Sequence, residues 1–412
     1  MKKKRIVITG MGIVSPLGIG RDEFWKNLFA GKSGIRLITL FDTSELKVKV
    51  GGEITDFNPH EILKEKRFID LDRATLLLLS ATQICLDDAK LVIDDDNTYQ
   101  TGVCVGTTFG SLSSVSKYNR ESMSEGPRFA NPSIFPSTVG NAPASRVSIK
   151  FKIKGFNTTI STGIGAGLDA LEYASDFIRL DRARQILVGS LEDFNIQAFM
   201  GLYKLKYLSG LKSNSPISCP LDRHRDGIVF SEGATMFVLQ DAKEAADRQN
   251  DIYGEVLGAG STFDPARFYR YNPKGEGMKQ SMQIALEDAG IGCEDIDCIL
   301  LNANSTRGAD AIETLAIKEV FGAKAKDIPV TAIKSMLGES LSNAGGAAIA
   351  AALGVLEKGL IPPTINLREK DKNCDLNCIT AANYKKRVSK ILVNSFSPNG
   401  KNTSVIIGRY KK

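Results

Sequence analysis

Short apolar runs of strand length alternate along the chain with longer segments in which apolar residues recur every three or four positions. The apolar runs are RIVITGMGIV, TGVCVG, QILVGS and GATMFVLQD in the first part of the chain, and GEVLGAG, CILLN, KILVNSF and TSVIIG in the second. Helical spacing is clearest in ATLLLLSATQICLDDAK, GMKQSMQIALEDAG and SNAGGAAIAAALGVLEKG. Strands that alternate with helices favour an α/β fold with a mostly parallel sheet covered on both faces.

The strand–turn–helix rhythm runs twice, which predicts two similar halves at residues 1–251 and 252–412. No low-complexity linker separates the halves, so we expect them to share one large core. The Ala-rich segment near residue 350 has such small side chains that another element must pack tightly on it.

The stretch TTISTGIGAGLDALEYASDF (158–177) predicts a strand that passes through a tight Gly turn into a helix. Enzymes often present a nucleophile at such an elbow, because the free N–H groups of the helix N-terminus lower a thiol pKa or hold an oxyanion. Here the tip of the turn is Ile164, which has no nucleophilic atom.

Composition narrows the classes of function. The chain has 412 residues, of which 42% are hydrophobic and 24% charged, a balance ordinary for globular proteins. No apolar run reaches the roughly 18–20 residues of a membrane span, and the basic start MKKKRIVITGMG reads as a first buried strand, so we expect a cytoplasmic protein.

The net charge is +6, and charged residues of both signs are mixed along the chain. They form no basic stripe with aromatic residues, which disfavours nucleic acid as a partner, whereas a mildly positive surface suits an acidic protein partner. Seven cysteines without C-x-x-C spacing and only two histidines predict free thiols and no metal site.

Several motifs occur in one order: VITGMGIVSPLG, FWKNLFAGKSGI, HRDGIVFSEGA, AIKSMLGES and INL. From about Arg5 to Tyr410 the chain resembles the β-ketoacyl-[acyl carrier protein] synthases. The resemblance implies the thiolase-like fold, two α/β halves in an α-β-α-β-α layering, and an oligomer whose acyl tunnel a second subunit completes. It implies no cofactor; the possible ligand is an acyl chain on the phosphopantetheine of acyl carrier protein.

The resemblance also implies a catalytic cysteine and two histidines, and all three are replaced. The family's Ser-Thr-Ala-Cys elbow reads STGI, which places Ile164 at the cysteine position. The first histidine position is Asn304 and the second is Glu339, whereas the motif lysine is retained as Lys334. Condensation in this chain's own pocket is therefore not expected.

Two further expectations concern the remaining charged groups. The only histidines, His60 and His224, match neither family position and are expected at the surface. The family pairs its lysine with a glutamate at a position that here is Ala348, so Lys334 is expected to find Glu339 instead.

The loops around the pocket also depart from the family. Matching on Asp310 and Glu313, the loop after Asn304 is about two residues shorter, and of its pantetheine-side threonines only Thr306 remains. The family's Gly-Phe-Gly-Gly gate here reads SFSPNGKN, so we expect a gate loop that includes Phe396, Ser397, Pro398, Asn399 and Gly400. Proline fixes φ and removes a donor, so this loop should flex less.

One type of relative keeps the fold without the cysteine: the chain-length factor of type II polyketide and related systems. By this resemblance Phe109 falls where the acyl tunnel meets the dimer interface, as a floor that limits chain length. Ser133 and Ile134, in a stretch that reaches toward the partner's tunnel, are the expected lining residues.

The leading hypothesis is a catalytically degenerate, chain-length-factor-type subunit that pairs with an active ketosynthase in fatty-acid or polyketide synthesis and shapes the acyl tunnel. A second hypothesis is a homodimeric protein that binds acyl chains or acyl carrier protein. A third is an enzyme of altered acyl-thioester chemistry that uses Glu339, Asn304 or Ser161.

Overall fold

A computed structural model describes residues 4–213, 215–265 and 270–411. The elements before residue 250 are β1 (Ile6–Ser15), β2 (Gly18–Ile19), α1 (Arg21–Phe29), β3 (Arg36–Leu37), β4 (Val50–Gly51), α2 (Pro59–Leu63), α3 (Arg73–Asp88), β5 (Thr101–Thr107), α4 (Leu112–Ser124), α5 (Ala142–Phe151), β6 (Asn157–Ile160), α6 (Ala166–Arg179), β7 (Gln185–Glu192), α7 (Ile196–Lys204), β8 (Gly233–Asp241) and α8 (Ala242–Asp247). The later elements are β9 (Gly254–Phe263), α9 (Glu276–Ala289), β10 (Cys298–Leu300), α10 (Arg307–Phe321), β11 (Pro329–Thr331), α11 (Lys334–Leu337), α12 (Ser342–Lys358), β12 (Leu360–Ile361), β13 (Asn377–Cys378), β14 (Tyr384–Lys385), β15 (Lys390–Phe396) and β16 (Lys401–Gly408). Short 3₁₀ turns occupy Phe135–Ser137, Cys293–Asp295 and Gly322–Lys326. Each apolar run named above overlaps a strand, and each segment with helical spacing overlaps a helix.

The main sheet joins its strands in the order β13-β11-β10-β15-β16-β9-β1-β8-β7-β5-β6, with β2 paired to β1. Among the strands of the described residues, the two parts of the chain pair only through β1 and β9, over three residue pairs from Ile6–Val256 to Ile8–Gly254. The sheet therefore consists of an N-terminal and a C-terminal group of strands. The boundary at residues 251 and 252 lies in the connection from α8 to β9 and stays a prediction.

The expectation of a mostly parallel sheet is wrong, because the middle of the sheet is antiparallel. Parallel pairing is confined to β5 with β6 and β7, β10 with β11 and β15, and β11 with β13. The strands β1, β8, β9, β16, β7 and β15 form antiparallel pairs. A strand buried on both faces shows the same apolar run whichever way it is paired, so its direction follows from its connections.

The helices α6 and α12 lie between the two groups of strands, and each contacts both. In β7, Ile186 and Val188 face the cluster that contains these helices, whereas Leu187 faces the cluster of α3 on the other side. The C-terminal group alternates in the same way, with its outer face covered by α9 and α10. The layering is therefore α-β-α-β-α. No helix in the described ranges is long and apolar enough to cross a membrane.

Small residues allow the central helices to approach closely. A Cβ at Gly167 of α6 would lie 2.4 Å from the carbonyl oxygen of Ser342, and one at Gly346 of α12 would lie 2.0 Å from Thr235 Oγ1. The tight packing predicted for the Ala-rich helix is confirmed. It brings the segments that precede α6 and α12 to the same end of the molecule.

A buried cation links the two parts of the chain. Arg225, between α7 and β8, is almost fully buried and its Nε lies 3.1 Å from Asp310 Oδ2 of α10. Its Nη1 lies 2.7 Å from Asp371 Oδ2, and it also donates to the carbonyl oxygen of Asp222 at 2.7 Å. Since Asp310 is itself fully buried, its charge depends on this partner.

We predict that Arg225→Met lowers the free energy of unfolding by about 3–5 kcal/mol, because it leaves the buried Asp310 carboxylate without the cation that pairs with it. Urea unfolding followed by circular dichroism measures the change. The matched control Lys279→Met removes the exposed pair with Glu319 (3.2 Å) and should change the free energy of unfolding by at most about 1 kcal/mol. Equal effects of the two substitutions would contradict the assignment.

Candidate functional site

The three residues that the resemblance places at the catalytic positions line one cavity of about 190 Å³. Ile164 comes from the elbow before α6, Asn304 from the loop after β10, and Glu339 from the turn between α11 and α12. The other lining residues are Thr108, Phe109, Gly163, Leu202, Leu205, Tyr207, Ile228, Leu341, Ser397, Pro398 and Asn399. The wall is mostly apolar, and its polar side chains are Thr108, Tyr207, Asn304, Glu339, Ser397 and Asn399.

The elbow has the geometry that the sequence predicts. Gly163 has φ +87°, and a Cβ there would lie 2.7 Å from Asn399 Nδ2, so both the turn and the close contact require glycine. Ile164 is buried in an apolar cluster. The neighbouring hydroxyls are engaged, because Ser161 Oγ donates to the carbonyl oxygen of Thr108 (3.3 Å) and Thr162 donates to Asp169 in the first turn of α6. The tip therefore offers an alkyl side chain and no activated nucleophile.

A buried hydrogen-bonded network occupies both histidine positions. Lys334 Nζ lies 2.9 Å from Glu339 Oε2 and donates to Asn302 Oδ1 at 3.0 Å, which confirms the predicted Lys334–Glu339 pair. Asn304 Nδ2 donates to the same Glu339 oxygen at 3.1 Å, and Leu341 N donates to Glu339 Oε1 at 3.1 Å. The polar groups thus hydrogen-bond to one another, and none of these side chains is an imidazole that could shuttle a proton near neutral pH.

Two acidic residues of α10 hold the Asn304 loop in place. Glu313 accepts the N–H groups of Asn302 (2.9 Å) and Ala303 (2.8 Å), and Asp310 accepts the Asn304 N–H (2.9 Å). Burial raises the pKa of Glu313 to about 7 and that of Asp310 to about 6. Sequence reasoning used this pair only to match the loop and missed its role, although acidic residues three apart share a helix face.

Thr306 lies outside the cavity. Its side chain and backbone donate to Asn304 Oδ1, at 2.8 and 3.2 Å, and it lines an open cleft of about 600 Å³ that shares Tyr207 with the cavity. Basic and imidazole side chains dominate the charge of the cleft: Lys206, Lys212, His224 and Arg307. Because Tyr207 lines both spaces, the cleft adjoins the cavity.

The loop from Ser397 to Gly400 is a tight connection between β15 and β16. Ser397 N donates to the carbonyl oxygen of Lys401 at 2.8 Å, and Gly400 N to that of Ser397 at 3.1 Å. Pro398 and Asn399 line the cavity, and Pro398 offers it no N–H donor. Gly400 has φ +101° and completes the turn.

Phe396, assigned with Pro398, Asn399 and Gly400 to the gate loop, is not among the residues that line the cavity, and its place in a gate stays a prediction. It is the last residue of β15, is fully buried, and packs with Leu392 in the C-terminal cluster. Because side chains alternate along a strand, residues 392 and 396 face the same side, away from the cluster of Ile391 and Val393.

The three residues assigned to the tunnel and interface lie in different surroundings. Phe109 lines the cavity and is 44% exposed, so its ring reaches both the cavity and the surface. Ser133 is exposed and donates to Asp70 Oδ2 at 2.6 Å. Ile134 is buried within its own chain, so its side chain is not available to line a partner's tunnel. The exposed apolar residues of this stretch are Phe129, Phe135 and Val139.

The remaining reactive side chains lie away from the cavity or are buried. His60 and His224 are both exposed, as predicted, and all seven cysteines are unpaired. In the part of the chain that the structure describes, no three or more His, Cys, Asp or Glu side chains are grouped so that they could hold a metal ion.

The raised pKa of Glu313 has a measurable consequence for stability. Because the pKa of Glu313 is higher in the native state than in the unfolded state, the protonated carboxyl stabilises the fold. This contribution to the free energy of unfolding is fully present below the unfolded pKa of about 4.5 and is lost as the pH rises through about 7. We predict that the free energy of unfolding of the native chain, relative to Glu313→Gln, falls by on the order of 3 kcal/mol between pH 5 and pH 8. Urea unfolding of both proteins across this range tests the sign, and a difference that is flat or rises with pH would contradict it.

Comparison with known proteins assigns the family. The model of the β-ketoacyl synthase N-terminal domain matches residues 3–245, and that of the C-terminal domain matches residues 253–368. A 3-oxoacyl-[acyl-carrier-protein] synthase 2 of Coxiella burnetii is 32% identical over 99% of both chains. The tetracenomycin polyketide synthase ketoacyl synthase alpha subunit of Streptomyces glaucescens is 31% identical over 100% of this chain and 98% of its own.

Solved structures agree with this assignment. The ishigamide ketosynthase/chain length factor superposes with a TM-score of 0.93 at 30% identity, covering 99% of this chain and 100% of the other. A type II polyketide synthase ketosynthase in complex with its acyl-carrier protein gives a TM-score of 0.90 at 27% identity, with the same coverage. The chain thus has the thiolase-like fold of the ketosynthases and belongs to the β-ketoacyl synthase family.

Proposed function

We propose that this chain is a catalytically degenerate β-ketoacyl synthase subunit of the chain-length-factor type, which pairs with an active ketosynthase and shapes its acyl tunnel. One observation carries the proposal: the positions of the nucleophile and both histidines meet in one cavity, and Ile164, Asn304 and Glu339 occupy them. Several relatives at about 30% identity are named as synthases. The non-catalytic role therefore rests on these three residues and not on overall similarity.

The electrostatics of the cavity support the absence of condensation. Glu339 and Lys334 form a buried pair, and Asn304 donates to the same carboxylate. A carboxylate at this place repels the carboxylate of a malonyl group, whereas the reaction needs donors that stabilise an enolate. The same pairing argues against altered chemistry at Glu339, because its carboxylate already accepts hydrogen bonds from Lys334, Asn304 and the Leu341 N–H.

The surface supports a protein partner. The ring of Phe109 is partly exposed, and the helix α4 and the segment 129–139 carry further exposed apolar residues, Met123, Phe129, Phe135 and Val139. Tyr118 of α4 packs against Phe135, with ring centroids 5.8 Å apart, so these segments form one face. The strand β6 ends the sheet, and its outer edge pairs with no other strand in the described residues. An apolar face beside an open sheet edge is typical of a subunit interface.

The open cleft supports contact with acyl carrier protein. Lys206, Lys212 and Arg307 surround Thr306 beside the cavity, and such a basic rim suits the acidic surface and the phosphate of a pantetheine-bearing carrier. One of the similar solved structures is a ketosynthase in complex with its acyl-carrier protein. We infer that a carrier protein approaches this chain from the side on which the basic cleft opens.

We predict that Ile164→Cys yields a chain that slowly accepts an acyl group from an acyl thioester but forms no β-ketoacyl product. The new thiol restores a nucleophile, whereas the imidazoles for decarboxylation are still absent. Intact-mass spectrometry detects the acyl adduct, and product analysis with malonyl-carrier protein detects condensation. Ile164→Val is the matched control and should remain unmodified. Appreciable β-ketoacyl product from the single variant would show that the account of the histidine positions is wrong.

We predict that the chain copurifies with a ketosynthase that retains the cysteine and both histidines. We also predict that Phe109→Ala in this chain lengthens the acyl products that the pair makes. Removing the phenyl ring opens the tunnel by several methylene lengths. Coexpression followed by mass spectrometry of the products measures both results. Phe135→Ala, at the same face but outside the cavity, is the control for general damage to the interface. A homodimer that ignores an offered ketosynthase would count against the proposal.

A further inference from the structure

We infer that Glu192 is a positioning residue, which holds the turn that carries Phe109 and so sets where the phenyl ring closes the cavity. The inference rests on the proposed function, since it takes Phe109 as the residue that limits acyl chain length. It also makes a separate claim about what fixes that ring in place.

The contacts of Glu192 are with the backbone of the Phe109 turn. Glu192 is the last residue of β7, is completely buried, and lies beside the end of β5 because Thr107 pairs with Leu191. Its Oε2 accepts the Thr108 N–H at 3.0 Å, and its Oε1 accepts the Phe109 N–H at 3.2 Å. Both oxygens of one carboxylate therefore hold two consecutive residues of the turn.

The same carboxylate also binds the start of α12. Ser342 Oγ, at the start of α12, donates to Glu192 Oε2 at 2.8 Å. The preceding residue, Leu341, lines the cavity with φ +48° and ψ −117°, a conformation that a residue with a side chain keeps only when its surroundings impose it. Glu192 thus fixes the Phe109 turn relative to the segment that carries Glu339 and Leu341.

A contribution to stability alone does not explain a buried glutamate at position 192, because all of its hydrogen-bond donors are neutral groups. Its hydrogen bonds come from two backbone N–H groups and one hydroxyl, which are neutral. A buried carboxylate with neutral partners contributes less to stability than a well-packed apolar side chain would. What a carboxylate does better than an apolar residue is accept several N–H groups at fixed positions.

The test is Glu192→Gln, which keeps the shape but replaces one acceptor oxygen with an N–H₂ donor. Either the Thr108 or the Phe109 N–H then loses its acceptor. In the isolated chain we expect amide hydrogen exchange in peptides covering residues 107–110 to become about tenfold faster, the effect of losing one such hydrogen bond. In the pair with the ketosynthase we expect the product lengths to shift in the same direction as with Phe109→Ala. The double variant should give the products of Phe109→Ala alone, because Glu192 acts through that ring.

The control is Asp297→Asn, which changes another carboxylate that accepts two backbone N–H groups, those of Ser389 (2.8 Å) and Lys390 (3.0 Å), away from the cavity. It should leave both the exchange at residues 107–110 and the product lengths unchanged. If Glu192→Gln does not fold, Glu192→Asp keeps the charge on a shorter arm and carries the same expectations.

The outcomes separate the two claims. If Phe109→Ala lengthens the products while neither Glu192 variant alters exchange or product length, the positioning role is overturned and the proposed function stands. If Phe109→Ala leaves the products unchanged, the proposed function fails and the chain-length role of Glu192 fails with it. Exchange in the isolated chain then still decides whether Glu192 holds the turn, and unchanged exchange overturns that claim as well.

Discussion

The close packing of α6 against α12 between the two groups of strands is the constraint on which the rest of this structure depends. The helices approach so closely that a Cβ at Gly167 would meet the carbonyl oxygen of Ser342. Ile164 lies two residues before α6 and Leu341 directly precedes α12, so this packing brings both residues into one apolar cluster at the cavity. The cavity is thus a consequence of how the core is assembled.

The residues at the matched catalytic positions are packed and paired like residues of the core. Ile164 packs into an apolar cluster, and the Lys334–Glu339–Asn304 network satisfies its own charges and hydrogen bonds. In a catalytic site, polar groups are held ready for a substrate, often at a cost in stability. Here the same positions support one another, which fits a subunit that is kept for its shape and its surfaces.

Several buried acids work as backbone anchors around the cavity. Glu313 and Asp310 hold the Asn304 loop, and Glu192 holds the Phe109 turn. Each accepts N–H groups at a point where the chain leaves a strand, so the loops that shape the cavity are fixed by side chains from neighbouring elements. Sequence reasoning did not find these roles, because an acidic residue on a helix or at the end of a strand reads equally well as a surface charge.

The sequence by itself determined the alternation of strands and helices, the glycine elbow, and the presence of Ile164, Asn304 and Glu339 at the positions matched to the nucleophile and both histidines, because each follows from local residue types and spacing. It also led correctly to the Lys334–Glu339 pair, because Ala348 stands at the position of the lysine's usual partner and Glu339 is only five residues away along the chain. Only the tertiary structure decided the directions of the central strands, the burial of Ile134 and Phe396, and the meeting of Ile164, Asn304 and Glu339 in one cavity. These features depend on which distant segments pack together, and an apolar residue shows the same character whether it faces a core, a tunnel or a partner.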